Sequence, residues 1–240
     1  MIDRTTRFWI AGIIAGLGLM AALAFVLLGP GRFDPSPPSL ADNPDPAIPG
    51  QIAYLGWDNR CVRLVDASGA NDRELSCPSG YYDFVAFLDA RTVAVAGYKG
   101  ERNPAWIAID IETAKQTELG THPAPEPFFP DPTLGERVRV DDDGDVLAVE
   151  PDGSTRVIYE ASYPEYYRPT PITLSPDGEW LLLQYSGPRA NGIELWIVAM
   201  DGHMAGTVTD DATWGSIAAS WWIDGFGAAP QIDAPDAPAQ

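Results

Sequence analysis

The sequence predicts an all-β fold, a small β-propeller of about four blades with its C-terminal strand closing the first blade, preceded by one transmembrane helix. Three observations carry this. The stretch from Leu174 to Leu183 sets apolar residues on both sides of a Pro176-Asp177-Gly178 turn, and the apolar run from Ile193 ends in a second turn at Asp201-Gly202. Gly supplies positive φ there and Asp caps its own backbone, so the stretch reads as one strand-turn-strand-loop-strand unit. An Asp-centred turn after an apolar or aromatic run recurs at Asp89, Asp131, Asp177 and Asp224, at the roughly 40 to 50 residue spacing of a four-stranded blade. Lastly, residues 8–28 contain no charged residue.

Taken in order, residues 1–7 form a polar head with Arg4 and Arg7. Residues 8–28 have the length of a membrane span, about 20 apolar residues. Phe8 and Trp9 stand where aromatic rings prefer the headgroup level. The arginines precede the span and the chain beyond Arg32 is strongly acidic, which predicts a cytoplasmic N-terminus, a single-pass cell-membrane protein and an extracytoplasmic remainder. A cleaved signal peptide is the rival reading; the long apolar run and the burial of Ala22-Leu23-Ala24 within it weigh against cleavage. Gly12 and Gly16 are spaced to let two such helices pair as a homodimer. Residues 29–50, rich in Pro and Asp, read as a semi-rigid spacer that cannot bury a core.

Residues 51–225 are expected to form the propeller ectodomain. Second-place strands are read at Ile52–Trp57, Val93–Ala96, Val138–Val140 and Leu181–Leu183. Third-place strands follow at Val62–Val65, Trp106–Ile109, Val146–Val149 and Trp196–Ala199, each leading to a turn: Ser68-Gly69, Glu112-Thr113, Asp152-Gly153 or Asp201-Gly202. A polar fourth strand comes next. The first unit has no innermost strand of its own, and the chain carries a surplus one at Ala219–Ile223. The economical inference is that this strand completes the first blade. A sandwich or an open propeller is the alternative architecture. Residues 226–240 read as a disordered Pro/Ala tail.

Cys61 and Cys77 lie at equal sequence distances on either side of Gly69. They face each other if the hairpin centres on that glycine, which predicts a disulfide, against two buried free thiols.

The phrases Leu-Ser-Pro-Asp-Gly-Glu-Trp at 174–180 and Val-Arg-Leu-Val-Asp-Ala-Ser-Gly at 62–69 resemble the Pro-Asp-Gly, WD40-like repeats of TolB-like proteins and of prolyl oligopeptidase propellers. The second and third repeats depart from the pattern, with Asp-Ala and Asp-Pro. The resemblance implies a binding scaffold, often in the cell envelope. Where such families carry enzymes, the resemblance implies that catalysis belongs to a separate domain.

Composition excludes more than it selects. The 240 residues carry a formal charge of −19, from 34 acidic and 15 basic side chains, with Lys99 and Lys115 the two lysines. Such a surface repels phosphate backbones, so no nucleic acid is expected. No nucleophile elbow, zinc-protease motif or phosphate loop is present, His122 and His203 stand in unrelated loops, and no catalytic residue, cofactor or metal is expected. Asp141-Asp142-Asp143-Gly144-Asp145 reads as a turn, with Ca²⁺ binding as its alternative. The candidate binding residues are Tyr81, Tyr82, Tyr163, Tyr166 and Tyr167, all in connections entering an innermost strand, with packing between blades as the competing reading. The expected function is a non-enzymatic protein-interaction or scaffold module with an envelope partner, held to the lipid bilayer through residues 8–28. The alternative is a ligand- or glycan-binding sensor or accessory subunit of a membrane complex.

Overall fold

The computed structural model describes residues 36–57, 61–79, 82–97, 105–121, 134–160, 168–186, 193–212 and 219–228. Four antiparallel sheets make up these residues, an arrangement consistent with the propeller-like fold expected. The chain begins with β1 (Gln51–Leu55), β2 (Val62–Asp66) and β3 (Arg73–Ser76). A second sheet follows from β4 (Phe84–Asp89), β5 (Thr92–Ala96), β6 (Ala105–Asp110) and β7 (Gln116–Thr121). A one-turn helix α1 (Leu134–Arg137) precedes the third sheet, β8 (Val138–Val140), β9 (Val146–Val149) and β10 (Thr155–Tyr159). The fourth sheet is β11 (Thr170–Leu174), β12 (Trp180–Tyr185), β13 (Ile193–Ala199) and β14 (Ala205–Ala212), and the described chain ends with β15 (Ala219–Ile223) and β16 (Gly227–Ala228).

The surplus strand goes where the repeat count sends it. β15 pairs antiparallel with β1, Ile52 opposite Trp221 and Tyr54 opposite Ala219. The first sheet therefore runs β16-β15-β1-β2-β3, with strands from both halves of the sequence. β16 lies within the segment expected to be a disordered tail; Gly227 and Ala228 pair with Ile223 and Trp222, so the sheet extends past residue 225. Residues 229–240 lie outside the described residues, as do 1–35 and with them the predicted span. Among the described residues no helix is long and apolar enough to cross a membrane. The innermost strand expected at Phe128–Pro132 also lies outside them, and the described part of the third sheet has three strands.

Local chemistry explains the turns. At Gly178, φ is 78°, a conformation that side chains with a Cβ rarely adopt, and its N–H donates to the Ser175 carbonyl at 2.8 Å. The Glu112-Thr113 turn lacks a glycine, and Ala114 takes the left-handed conformation instead, with φ at 57°. Asp110 compensates: its Oδ1 accepts from the backbone N–H and the hydroxyl of Thr113, both at 2.8 Å.

Apolar side chains lie on both faces of the inner strands, so every residue of β12 is buried. One face of the first sheet packs on the fourth, joining Ile52, Tyr54, Val65 and Trp221 to Leu182, Leu195 and Ile197. Its other face packs on the second, joining Leu55 and Leu64 to Val85, Val93 and Val95. The fourth sheet in turn covers the third through Leu181, Leu183, Trp196 and Val198 against Val146, Ala148 and Ile158.

One expectation is overturned. The second half of the Pro-rich spacer belongs to the domain: the compact unit begins at Ser36, and Leu40 and Ile48 are core residues. A Pro-rich segment need not stand off as a spacer, because it can lie along an open strand edge. Here Thr207 of β14 donates its N–H to the Pro38 carbonyl at 2.9 Å and accepts the Leu40 N–H at 2.8 Å. The strap then crosses to the first sheet, where the Asp45 N–H meets the Ser68 carbonyl at 3.1 Å and the Trp221 indole donates to the Pro49 carbonyl at 3.0 Å.

Candidate interaction face and the seam beside it

Hydrogen bonds between sheets show which strand ends lie together. At one end, the Arg156 guanidinium of β10 donates to the carbonyls of Met200 and Asp201, which close the β13–β14 turn, at 2.9 and 3.0 Å. Arg73 of β3 donates to the Ile111 carbonyl of the β6–β7 turn at 2.9 Å, and the strap meets the β2–β3 turn and the start of β14. This is the turn face, made of short Asp-rich reversals. At the other end, the Trp57 N–H donates to the Asp211 carbonyl at 2.8 Å, Gly56 bridges Ala212, and Arg168 donates to the Asp142 carbonyl at 3.1 Å. Apart from the tight Asp141–Asp145 turn, the strands there are joined by the longer connections, so this end is the loop face.

Of the candidate tyrosines, Tyr81, Tyr163, Tyr166 and Tyr167 lie outside the described residues. Tyr82 is described and packs in the core, which favours the competing packing reading over binding at this position. It is 5% exposed, sits among Leu75, Val85 and Phe87, and donates its hydroxyl to the Ser79 carbonyl at 3.1 Å. Burial pushes its pKa up. Sequence reasoning passed over Trp57, which is 47% exposed at the loop face. Its place just past the end of an apolar strand, before Asp58-Asn59-Arg60, was the available signal.

Cys61 and Cys77 are joined in a disulfide at this same end. The register that brings them together is less simple than a hairpin centred on Gly69. Val62 pairs with Ser76, but Arg63 pairs with Glu74, and the ladder is offset by one across a bulge that leaves Leu75 unopposed. The offset restores the facing of the two cysteines. Among the described residues the group close enough to hold a metal ion is Cys61, Glu74 and Cys77, and its sulfurs are already bonded to each other.

The Asp141–Asp145 segment forms a tight turn. The Asp141 carboxylate accepts the backbone N–H groups of Asp143 and Asp145, both at 3.0 Å, and the Gly144 N–H donates to the Asp141 carbonyl at 3.2 Å. His203 likewise serves a turn: its backbone N–H and ring Nδ1 both meet the Asp201 carboxylate, whose pKa is held below the usual range chiefly by that backbone bond.

No protein-family model matches the chain, and no curated protein does. Solved structures with some likeness include TolB from Acinetobacter baumannii, at 12% identity and a TM-score of 0.27, covering 67% of this chain and 41% of that one. A putative TolB from Agrobacterium tumefaciens shows 14% identity and a TM-score of 0.25 over 76% of this chain and 72% of its own. An oligogalacturonate lyase from Vibrio parahaemolyticus shows 14% identity and a TM-score of 0.22, over 61% and 47%. This chain thus spans less than half the length of two of the three. Likenesses this distant carry no argument, and the functional reading rests on the chain's own geometry.

The richest polar cluster lies at the seam between the first and fourth sheets. The Tyr54 hydroxyl is buried, donates to the Asp72 carboxylate at 2.9 Å, accepts from Arg63 Nε at 2.9 Å, and lies 3.3 Å from the Thr209 hydroxyl. Arg63 Nε also stands 3.2 Å from Asp72. Burial drives the Tyr54 pKa well above the ordinary phenol value, so it remains neutral and acts as a hydrogen-bonding strut rather than an acid or base. The cluster ties β1, β2 and the β2–β3 turn to β14.

Proposed function

We propose that the protein is a membrane-anchored, extracytoplasmic interaction module. Residues 1–7 are its cytoplasmic head, residues 8–28 span the bilayer, and the four sheets form a closed four-bladed propeller in which β15 completes the first blade. The charge step across residues 8–28 supports the anchor. The disulfide supports an oxidising compartment.

The observation that carries the reading is the difference between the two faces. At the turn face the backbone is tied down by its own carboxylates and glycines, as at Asp110, Asp177 and Asp201. The loop face carries the exposed Trp57, and the longer connections of the sequence, in which Tyr81, Tyr163, Tyr166 and Tyr167 fall, join strand ends there. Binding residues concentrate on connections held by a rigid scaffold, and aromatic rings anchor protein interfaces. The loop face is therefore the docking face, and its partner is another envelope protein.

Site-specific photocrosslinking in intact cells tests this. Crosslinkers at Trp57 and Asp142 on the loop face are expected to capture one discrete protein, and crosslinkers at Glu112 and Asp152 on the turn face to capture none. Equal capture from both faces, or none from the loop face, overturns the reading.

A further inference from the structure

The strap leaves a specific imprint on the fourth sheet. Leu40 is 4% exposed and stands in a slot walled by two glycines from different sheets. A Cβ on Gly206 of β14 would lie 2.4 Å from Leu40 Cγ, and one on Gly69 of the β2–β3 turn would lie 2.4 Å from Leu40 Cβ. Gly206 has an ordinary strand conformation, so nothing in its backbone calls for glycine; the space it leaves for leucine does. Beside the slot, Thr207 offers three hydrogen bonds to the strap: its N–H to the Pro38 carbonyl at 2.9 Å, its carbonyl to the Leu40 N–H at 2.8 Å, and its hydroxyl to the Pro37 carbonyl at 3.0 Å. Ser39 pairs parallel to Thr207 in a single isolated bridge, so the strap meets the sheet edge at this one point. Farther along, the edge of β14 is occupied at Asp211 and Ala212 by Gly56 and Trp57.

Those features are the elements of peptide recognition by strand addition: main-chain hydrogen bonds to a sheet edge, and a pocket for one alternate side chain. Neither depends on covalent continuity between strap and domain. The geometry points to the β14 edge and its Gly69–Gly206 slot as a peptide-binding site, with residues 36–40 as its ligand in cis. The ligand class follows from the contacts. It is an extended segment with proline at the two positions that present carbonyls to Thr207, a small polar residue next, and leucine in the slot, running parallel to β14. The free protein holds its own strap there, and an engaged partner replaces it with a segment of the same kind. The slot lies at the turn-face end of β14, apart from the loop face, so the inference goes beyond the interaction-module reading and its ligand is separate from the loop-face partner.

The test uses the full chain and a fluorescein-labelled peptide of residues 36–44. Leu40→Asp puts a carboxylate in a dry slot and drives the strap out, so the peptide is expected to bind that variant saturably and at least tenfold more tightly than the wild type. Adding Gly206→Val fills the slot and is expected to abolish binding. Leu40→Ala, which only weakens the strap, is expected to bind at an intermediate level and guards against a misfolded Leu40→Asp chain. A Leu40→Asp or Leu40→Ala chain that keeps its near-ultraviolet circular dichroism without saturable binding overturns the proposal. So does binding indifferent to Gly206→Val. Loop-face crosslinks without peptide binding would leave the interaction module standing and remove this site alone.

Discussion

Trp221 of β15 donates its indole N–H to the carbonyl of Pro49 at 3.0 Å, across 172 residues of sequence. The ring itself is fully buried in the core between the first and fourth sheets, so the bond joins the strap, the closing strand and the seam at one point. Trp221→Phe keeps an aromatic ring but removes the donor and part of the volume. It is expected to lower the unfolding free energy by about 1–3 kcal/mol in urea titrations, with an unchanged slope. A change below about 0.5 kcal/mol would show that the bond is incidental.

Removal of residues 219–228 deletes two strands of a five-stranded sheet and uncovers β1. The truncated chain is expected to lose its cooperative thermal transition. An unchanged melting temperature would mean that the pairing of β15 with β1 contributes nothing to the fold.

The Cys61–Cys77 bridge closes a loop with a sequence separation of 16. Replacing both cysteines with serine is expected to remove roughly 3 kcal/mol of stability, read as a shift in denaturant midpoint. Dithiothreitol on the wild type is expected to reproduce that shift and to leave the double variant unmoved.

Three turn carboxylates, Asp110, Asp152 and Asp201, have pKa values held below the usual range. The leading causes are the Thr113 backbone N–H for Asp110, the Ser154 hydroxyl for Asp152 and the His203 backbone N–H for Asp201. A depressed folded-state pKa adds stability that is fully present above the unfolded value, about 3.9, and is lost as pH falls through the folded value. These turns should therefore hold constant from neutrality down to about pH 5 and weaken below about pH 4. Asp110→Asn is expected to be less stable than wild type at pH 7 and to converge with it in acid. A constant gap across the acid range would assign the effect to shape instead of charge.

The strands and turns were legible because their signals are local. Asp177-Gly178 and Asp201-Gly202 announce reversals, and the apolar run Trp180-Leu181-Leu182-Leu183 announces a strand buried on both sides, as β12 is. The pairing of β15 with β1 was legible by counting. The strap was not, because its two core residues, Leu40 and Ile48, are isolated among prolines and aspartates, and the glycines that receive Leu40, Gly69 and Gly206, look like ordinary turn and strand glycines. The bulge at Leu75 was hidden for a related reason: the simpler hairpin centred on Gly69 brings the same two cysteines together. Tyr82 shows the limit for aromatics, since a tyrosine in a connection reads as exposed until its neighbours are known.

The pairing of β1 with β15 also sets a timetable. During synthesis β1 emerges first, with Ile52, Ala53, Tyr54 and Leu55 all destined for burial, and its neighbour on one side is almost the last strand to be made. For most of translation that edge and both its apolar faces lack their final cover, which is a template for wrong pairing. The chain must therefore be shielded, or held apart from its copies, until its end is free.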